Sequence, residues 1–196
     1  MQARRLHGLL LAGGKSRRMG QDKALLERNG ETQLAYLARL MRPVVDEMFV
    51  SARRDQQTDA ERARYPLLFD KQDDLGPVAG ILSALQTNSD CDWLVVACDL
   101  PNVDHETLAT LIAERDAQHP FTAFVSSHDG LPEPLCAIYG EGALSIVQSF
   151  VDAGMHCPRK ILMKSDTQLL QQSNPASLDN INTPDDLSAS VLLGSE

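Results

Sequence analysis

Short apolar runs alternate with helical patterns along the chain. Five runs predict strands, and they lie at residues 6–12, 48–52, 67–70, 93–98 and 122–127. The first and fourth runs are almost continuously apolar, which is typical of strands that are covered on both faces. We therefore expect these two strands to be buried between layers of helices.

Between these runs, apolar residues recur at the spacing of an amphipathic helix. The helical positions are Leu34, Leu37, Ala38 and Met41, then Val78, Ile81, Leu82 and Leu85, then Leu108, Leu111 and Ile112. Asp104 precedes the third pattern and is predicted to be its N-cap. Repeated strand–helix–strand units predict an α/β fold with a doubly wound, mostly parallel sheet, and residues 1–196 are expected to form a single domain.

Composition narrows the class of protein. The 196 residues carry a formal net charge of -9, which opposes non-specific binding to nucleic acid or to an anionic membrane. No apolar run approaches the ~20 residues of a membrane span.

The cysteines Cys91, Cys98, Cys136 and Cys157 form no CxxC pair and have no histidine at metal-ligand spacing, so a zinc site is not expected. A reduced, cytoplasmic protein fits this pattern best.

The segment after the first strand reads AGGKSRRMGQDK and concentrates positive charge in an acidic chain. In doubly wound sheets, ligands bind at the carboxyl ends of the strands. Glycines let backbone N–H groups approach an anion, and Lys and Arg neutralise it, so the segment predicts a phosphate-binding loop. It is neither a P-loop, because Gln21 follows Gly20, nor a G-x-G-x-x-G dinucleotide fingerprint. A solvated basic turn is the alternative.

Two carboxylates follow later strands. Asp70 comes after the third strand, where a base or a ribose could be held. Asp99 ends the most apolar strand, and a carboxylate there is costly unless it caps, pairs or coordinates a cation. Capping is one interpretation, and a Mg²⁺ ligand is the preferred one, because this hard cation takes carboxylate oxygen and shares it with phosphates.

The late segment LDNINTPDDL contains two asparagines at a spacing of two, Asn180 and Asn182. On an extended segment both side chains face the same way. Thr183 then resembles an N-cap with Pro184 at the first helical position. The cap accounts for Thr-Pro-Asp-Asp, but it does not account for the two asparagines.

Five segments now make a resemblance specific: LAGGKSRRMGQDKALL, DLGPVAGILSAL, CDLP, PEPLCAIY and NINTPDDL. They occur in the order found in the nucleotidyltransferases of molybdenum cofactor synthesis, and over nearly its whole length the chain resembles the molybdenum cofactor guanylyltransferase family. The resemblance implies a Rossmann-like nucleotidyltransferase fold and Mg²⁺-dependent transfer of GMP from GTP to the phosphate of molybdopterin, with release of pyrophosphate. The Ala-Gly-Gly form of the first motif favours the guanylyl over the cytidylyl branch.

The resemblance also implies site residues. Nucleotide contacts are expected from Leu11, Ala12, Gly13, Gly14, Ser51 and Asp70. Lys23 and Arg18 would meet the phosphates, and Asp99 would bind Mg²⁺, so these three are the expected catalytic residues. Asn180, Asn182 and Arg159, the last together with Lys160, are expected on the acceptor side.

Ser51 is a departure from the family pattern, which usually has Asn after the second strand. If the position contacts nucleotide, Ser51→Asn should tighten nucleotide binding. Three rival functions stay open: a cytidylyltransferase for the same cofactor, a sugar-phosphate nucleotidyltransferase, and a degenerate member that binds nucleotide without catalysis. Ser51 favours the last of these, and the intact Lys23 and Asp99 count against it.

The expected partners follow from the implied reaction. They are GTP and molybdopterin or molybdenum cofactor, together with transient contacts to cofactor-synthesis or acceptor proteins. No nucleic acid and no membrane are expected. The acceptor phosphate is largely dianionic at neutral pH, because its second pKa is roughly 6, so the reaction needs no general base.

Overall fold

The computed structural model describes residues 4–14, 20–72 and 75–181. The strands of this part of the chain are β1 Leu6–Leu11, β2 Glu27–Arg28, β3 Glu31–Thr32, β4 Glu47–Ala52, β5 Leu67–Phe69, β6 Asp92–Ala97, β7 Phe121–Val125, β8 Pro132–Tyr139 and β9 Thr167–Leu170. The α-helices are α1 Gln33–Met41, α2 Pro77–Thr87, α3 His105–Ala113, α4 Ala143–Asp152 and α5 Pro158–Met163. Short 3₁₀ turns lie at Lys23–Leu25, Arg42–Val44, Arg54–Gln56, Arg62–Arg64 and Pro175–Leu178.

Seven strands form one sheet in the order β5-β4-β1-β6-β8-β7-β9. All neighbours pair in parallel except β8, which runs antiparallel to both β6 and β7. The sheet is therefore mostly parallel, as predicted. The remaining pair, β2 and β3, forms a small hairpin whose turn residues Asn29 and Gly30 have positive φ angles of 50° and 78°. An Asn-Gly turn of this kind matches the twist of a hairpin.

Helices cover both faces of the sheet, which confirms the doubly wound prediction. On one face, apolar residues of α1 and α3 pack against the sheet, as Leu37 and Leu108 do. On the other face, α2, α4 and α5 bury residues such as Ile81, Val147 and Ile161. The two almost continuously apolar strands, β1 and β6, are central and nearly fully buried, because side chains of both alternating sets meet helices.

Local chemistry sets several element boundaries. Asp104 caps α3, since its Oδ1 accepts a hydrogen bond from the backbone N–H of Thr107 at 2.8 Å, as predicted. The proposed N-cap Thr183 lies outside the described residues.

Cys98 and Cys136 are buried free thiols, and burial raises the pKa of Cys136 to about 12, consistent with a small apolar role.

Two strands of the main sheet were not anticipated from the sequence. β8 begins with Pro132 and contains Pro134, and prolines argue against a central strand because they cannot donate to the ladder. β9 is a short edge strand without a continuous apolar run. Among the described residues, no helix combines the length and the apolar character needed to cross a membrane.

Candidate active site

The carboxyl ends of four parallel strands meet at one edge of the sheet. β1 runs directly into Ala12, Gly13 and Gly14, and its neighbours β4 and β6 end beside it. Cys98, which precedes Asp99, donates its backbone N–H to the oxygen of Leu11 at 3.1 Å. The sheet therefore brings the predicted glycine loop and the predicted metal ligand to the same edge.

The glycine loop is held by a buried arginine that sequence analysis missed. Arg62 is 1% exposed, and its Nε and Nη2 donate to the backbone oxygen of Ala12 at 3.2 and 2.7 Å. Nη2 also donates to Oδ2 of Asp22 at 2.7 Å, and Nη1 lies 3.3 Å from Oδ1 of Asp59. One guanidinium thus joins the residue that enters the loop to a residue that leaves it.

A second arginine holds the next peptide of the loop. Arg53 donates from Nη1 to the backbone oxygen of Gly13 and also pairs with Asp55. In a trans peptide the C=O and the N–H point in opposite directions. Because the carbonyls of Ala12 and Gly13 point to arginines, the N–H groups of Gly13 and Gly14 point the other way, where an anion can accept from them.

The basic residues in the middle of the loop are not part of this geometry. Lys15, Arg17 and Arg18 lie outside the described residues. The expected phosphate contact of Arg18 stays a prediction.

Lys23 reaches the site from the far end of the loop. Oδ1 of Asp22 accepts a hydrogen bond from the backbone N–H of Ala24 at 3.1 Å, which starts the 3₁₀ turn that carries Lys23. The Nζ atom of Lys23 lies 3.8 Å from Oδ2 of Asp99, and the two side chains are 16% and 22% exposed. Lys23 is therefore largely covered and directed at Asp99, whereas Asp22 serves the turn and Arg62.

The surroundings of Asp99 disfavour the charged form of its carboxyl group. Burial raises the pKa of its carboxyl, and the nearby Lys23 ammonium opposes that rise. Within the described residues, Oδ1 is buried without a hydrogen-bond partner. An unpaired buried carboxylate oxygen costs free energy, so the site is suited to a cation that arrives with its ligand.

The fit to Mg²⁺ rests on one carboxylate. No group of three or more His, Cys, Asp or Glu side chains within the described ranges is arranged to hold a metal ion. Mg²⁺ is often bound through one or two carboxylates while substrate phosphates and waters complete its shell. Asp99 meets that requirement, because its orphaned Oδ1 supplies the oxygen that such a cation takes.

Ser51 and Asp70 form a hydrogen-bonded pair beside the loop. Ser51 is 2% exposed, and its Oγ donates to Oδ1 of Asp70 at 3.0 Å. A Cβ atom added at Gly80 of α2 would lie only 2.5 Å from Ser51 Oγ, so the hydroxyl occupies a closed space between helix and strand. Ser51 therefore supports Asp70 through this hydrogen bond, and the close approach of α2 leaves little space for a longer side chain at position 51.

On the other side of Asp99 there is a cavity of about 470 Å³. Its lining residues come from the starts of α2 and α5, from β8, from the turn after β6 and from the segment 178–180. They include Pro77, Leu100, Glu133, Arg159 and Asn180. The backbone N–H of Ile181 donates to the oxygen of Asp99 at 2.8 Å, which fixes Asn180 next to the site. Of the residues predicted for the acceptor side, Arg159 and Asn180 both line this cavity, and Asn182 lies outside the described residues.

Arg159 is paired with two carboxylates. It donates to Oδ2 of Asp129 at 3.0 Å and to Oε2 of Glu133 at 2.8 Å. Its charge is therefore already offset by two carboxylates. Lys160, the residue expected to act beside it, is exposed on α5 and is not among the residues that line the cavity.

Comparison with known proteins identifies the family of the chain. Residues 8–169 match the family model described as the MobA-like NTP transferase domain. The chain is 35% identical over 185 residues to the molybdenum cofactor guanylyltransferase of Pseudomonas fluorescens, with 92% of this chain and 91% of that protein covered. It is also 38% identical over 181 residues to the molybdenum cofactor biosynthesis bifunctional protein of Synechocystis sp., and it spans about half, 52%, of that longer protein.

A solved structure gives the same result. The chain resembles molybdopterin-guanine dinucleotide biosynthesis protein A from Archaeoglobus fulgidus with a TM-score of 0.77 and 26% identity, over 93% of this chain and 95% of that one. The family match covers most of the chain, and the predicted nucleotidyltransferase fold is confirmed. The chain therefore belongs to the MobA-like NTP transferase family, which includes the molybdenum cofactor guanylyltransferases.

Proposed function

We propose that this nucleotidyltransferase transfers the GMP unit of GTP to the phosphate of molybdopterin and releases pyrophosphate. The observation that carries the proposal is the pairing of Lys23 with Asp99, at 3.8 Å, directly beside the glycine loop. The Lys23 ammonium can bind phosphate and the Asp99 carboxylate can bind a metal ion, and the two lie side by side at the carboxyl edge of the sheet. The names of the relatives support guanylyl transfer as the reaction.

The nucleotide is assigned to the side of the site formed by β1, β4 and β5. Leu11, Ala12, Gly13 and Gly14 hold it, with the N–H groups of the two glycines turned toward the phosphates. Asp70 meets the nucleoside, and Ser51 contributes through its hydrogen bond to Asp70. The Ala-Gly-Gly form of the loop supports GTP over CTP as the donor.

The acceptor is assigned to the cavity on the other side of Asp99. Its phosphate oxygen attacks the α-phosphorus of GTP, the bond from that phosphorus to the β-phosphate oxygen breaks, and pyrophosphate leaves. No proton has to be removed from a dianionic phosphate. Catalysis then consists of holding two anions in line and stabilising the charge that develops.

Each charged residue of the site has a part in that stabilisation. Lys23 and Arg18 balance the charge that accumulates on the leaving pyrophosphate. Asp99 would hold Mg²⁺, and the ion would supply charge that offsets the mutual repulsion of the two phosphates. Arg62 and Arg53 keep the loop donors directed at the nucleotide through the carbonyls of Ala12 and Gly13. Asn180, which lines the cavity assigned to the acceptor, would meet the acceptor phosphate.

The proposal is tested by supplying the purified protein with molybdopterin, Mg²⁺ and each nucleoside triphosphate in turn, and measuring pyrophosphate. We expect release with GTP and little with CTP or ATP. Equal use of CTP would indicate the cytidylyl reaction. Nucleotide binding without any pyrophosphate release, in the presence of intact acceptor, would indicate a binding protein.

A further inference from the structure

Two charged residues that line the cavity next to Asp99, Arg159 and Glu133, form a cluster with Asp129, which lies outside the lining. Arg159 donates from Nη1 to Oδ2 of Asp129 at 3.0 Å and from Nη2 to Oε2 of Glu133 at 2.8 Å. One guanidinium therefore faces two carboxylates. Asp129 has a side chain that is 43% exposed, whereas that of Glu133 is 11% exposed and lines the cavity. The cavity thus presents a buried, anchored carboxylate.

This carboxylate limits which end of the acceptor can lie against it. A phosphate monoester carries a charge of roughly -1.5 to -2 at neutral pH and is repelled by a second anion. A carboxylate instead accepts hydrogen bonds at two oxygens and suits a group with two adjacent N–H donors. The amidine-like edge of a pterin ring, its 2-amino group and N3–H, is such a group.

The walls of the cavity suit the body of such a ring. Apolar surface comes from Leu75, Pro77, Leu100, Pro134 and Leu178. The volume, about 470 Å³, falls in the range of small-molecule pockets. A flat heterocycle can bury its faces against these walls while its polar edge meets the carboxylate.

The cavity also lies at the right place relative to the reaction. Leu100, the residue after Asp99, lines the cavity together with Glu133 and Asn180, and the backbone N–H of Ile181 donates to the oxygen of Asp99 at 2.8 Å. In agreement, the negative charge of Glu133 contributes to the raised pKa of Asp99. The two acids have different partners, since Asp99 faces Lys23 and Glu133 faces Arg159. This separation fits two tasks within the reach of one bound molecule.

We propose that Glu133 recognises the pterin ring of the acceptor by accepting hydrogen bonds from its 2-amino group and N3–H, with Arg159 as the residue that positions Glu133. The inference rests on the proposed function, because it takes molybdopterin to be the acceptor. It orients that molecule with its ring in the cavity and its phosphate toward Asn180 and Asp99. Arg159 then acts on the acceptor through Glu133 and not as a phosphate ligand.

The test compares two rings that differ at the group that Glu133 is proposed to recognise. Pterin carries the 2-amino group, and lumazine has an oxygen in its place. Binding of each to the full chain is measured by titration of ring fluorescence in the presence of GTP and Mg²⁺. We expect the parent protein to prefer pterin by about tenfold or more, as loss of a charge-assisted hydrogen bond implies.

Variants then assign the preference to the residue. Glu133→Gln keeps the size of the side chain, removes its charge and should bring the ratio of the two affinities close to one. Arg159→Met should lower the ratio as well, because Glu133 loses its anchor. Asp129→Asn is the matched control: it touches the same arginine but does not line the cavity, and the ratio should stay at the parental value. Thermal unfolding confirms that each variant is folded.

Several results would overturn the inference. They are equal or undetectable binding of the two rings by the parent protein, an unchanged ratio in Glu133→Gln, and a Glu133→Gln variant altered only in its Mg²⁺ dependence, which would make Glu133 a cation ligand. The proposed function fails in a different way, through absence of label transfer from GTP to molybdopterin. Transfer with no ring preference would refute the role of Glu133 alone, and ring preference without transfer would refute the reaction alone.

Discussion

Nη2 of Arg62 lies 2.7 Å from the backbone oxygen of Ala12 and 2.7 Å from Oδ2 of Asp22. A guanidinium that is 1% exposed therefore ties together the two ends of a loop whose intervening residues include three of the basic side chains. Because Asp22 also caps the turn that carries Lys23, the position of Lys23 depends on the same contact. Arg62 therefore links the shape of the glycine loop to the position of Lys23.

Arg62→Lys should weaken nucleotide use and stability together. Lysine keeps the charge, but a single ammonium cannot reproduce the fork that reaches Ala12, Asp22 and Asp59. We expect kcat/KM for GTP to fall by about tenfold or more, since loop donors lose their preorganisation. Arg62→Met should go further and cost about 3–5 kcal/mol of unfolding free energy, because it leaves carboxylates without their buried partner.

The neighbouring Arg64 supplies the control for this prediction. It lies in the same 3₁₀ turn as Arg62, and its side chain is 64% exposed and pairs with Glu61, the residue before the turn. Arg64→Met should change the free energy of unfolding by no more than about 0.5 kcal/mol and leave kcat/KM unchanged. Equal effects at the two positions would mean that the loop contact of Arg62 has no special role.

Asp99→Asn should separate activity from stability. The substitution preserves shape and removes the charge needed for Mg²⁺, so most turnover should be lost. Burial raises the pKa of the Asp99 carboxyl, so the folded state disfavours its charged form, and above that pKa the charge costs stability. At pH 7 the Asn variant should therefore unfold at the same temperature as the parent or at a higher one.

The difference in stability between Asp99→Asn and the parent should depend on pH in a direction set by the raised pKa of Asp99. As pH falls through the raised pKa toward the ordinary aspartate value of about 4, the folded parent takes up the proton first and regains the lost stability. The stability advantage of Asp99→Asn should thus shrink between pH 7 and pH 4, as followed by thermal unfolding. An advantage that grows as the pH falls would contradict the assigned direction of the shift.

The edge residues of the site could be read from the sequence because a general rule places ligands at the carboxyl ends of parallel strands. That rule led to Gly13, Gly14, Asp70 and Asp99 without knowledge of any contact. The supporting arginines follow no such rule. Arg62 stands in the charged run TDAERARYP, where an arginine is expected at the surface, and its burial depends on three acceptors brought from Ala12, Asp22 and Asp59.

The acceptor side was harder to predict for a similar reason. Glu133 stands between Pro132 and Pro134, a context that favours a loop, and the strand forms because β8 runs antiparallel beside β6. Arg159 was identified as a charge for the acceptor, but its pairing with Asp129 and Glu133 depends on tertiary contacts that no local pattern encodes.

Ser51 and Gly80 are expected to be coupled. A Cβ atom at position 80 would lie 2.5 Å from Ser51 Oγ and 2.8 Å from Cδ2 of Leu11, so Gly80→Ala should cost about 1–3 kcal/mol of unfolding free energy. Ser51→Ala in the same chain removes the first of these clashes and should recover part of the loss. Purely additive effects in the double-mutant cycle would contradict this contact.

Ser51→Asn now carries the opposite expectation from the one that the family pattern gave. The longer amide has no room against α2 and disturbs the bond to Asp70, so GTP binding should weaken and the unfolding temperature should drop. Ser51→Ala keeps the fold and should weaken GTP binding only a few-fold, because Asp70 loses one hydrogen bond worth about 1 kcal/mol. Tighter GTP binding by Ser51→Asn, measured by titration calorimetry, would restore the direct-contact interpretation.

Lys23→Ala should lower kcat/KM by a factor on the order of 10²–10³, as removal of one preorganised donor to a developing charge typically does. Lys164→Ala removes an exposed lysine at the end of α5, away from the site, and should leave the rate unchanged. Steady-state kinetics with GTP as the varied substrate measures both. If kcat/KM of Lys23→Ala stays within about threefold of the parent, a difference of roughly 0.7 kcal/mol in activation free energy, Lys23 does not contact phosphate in the transition state.

The fate of the phosphorus label tests the central claim most directly. GTP labelled at the α-phosphate or at the γ-phosphate is incubated with the protein, Mg²⁺ and molybdopterin, and the products are separated. Guanylyl transfer predicts that the α label moves to the pterin product while the γ label appears in pyrophosphate, and that both movements are lost in Asp99→Asn. Recovery of the γ label on the acceptor or in inorganic phosphate, with the α label left in a free nucleotide, would contradict the account.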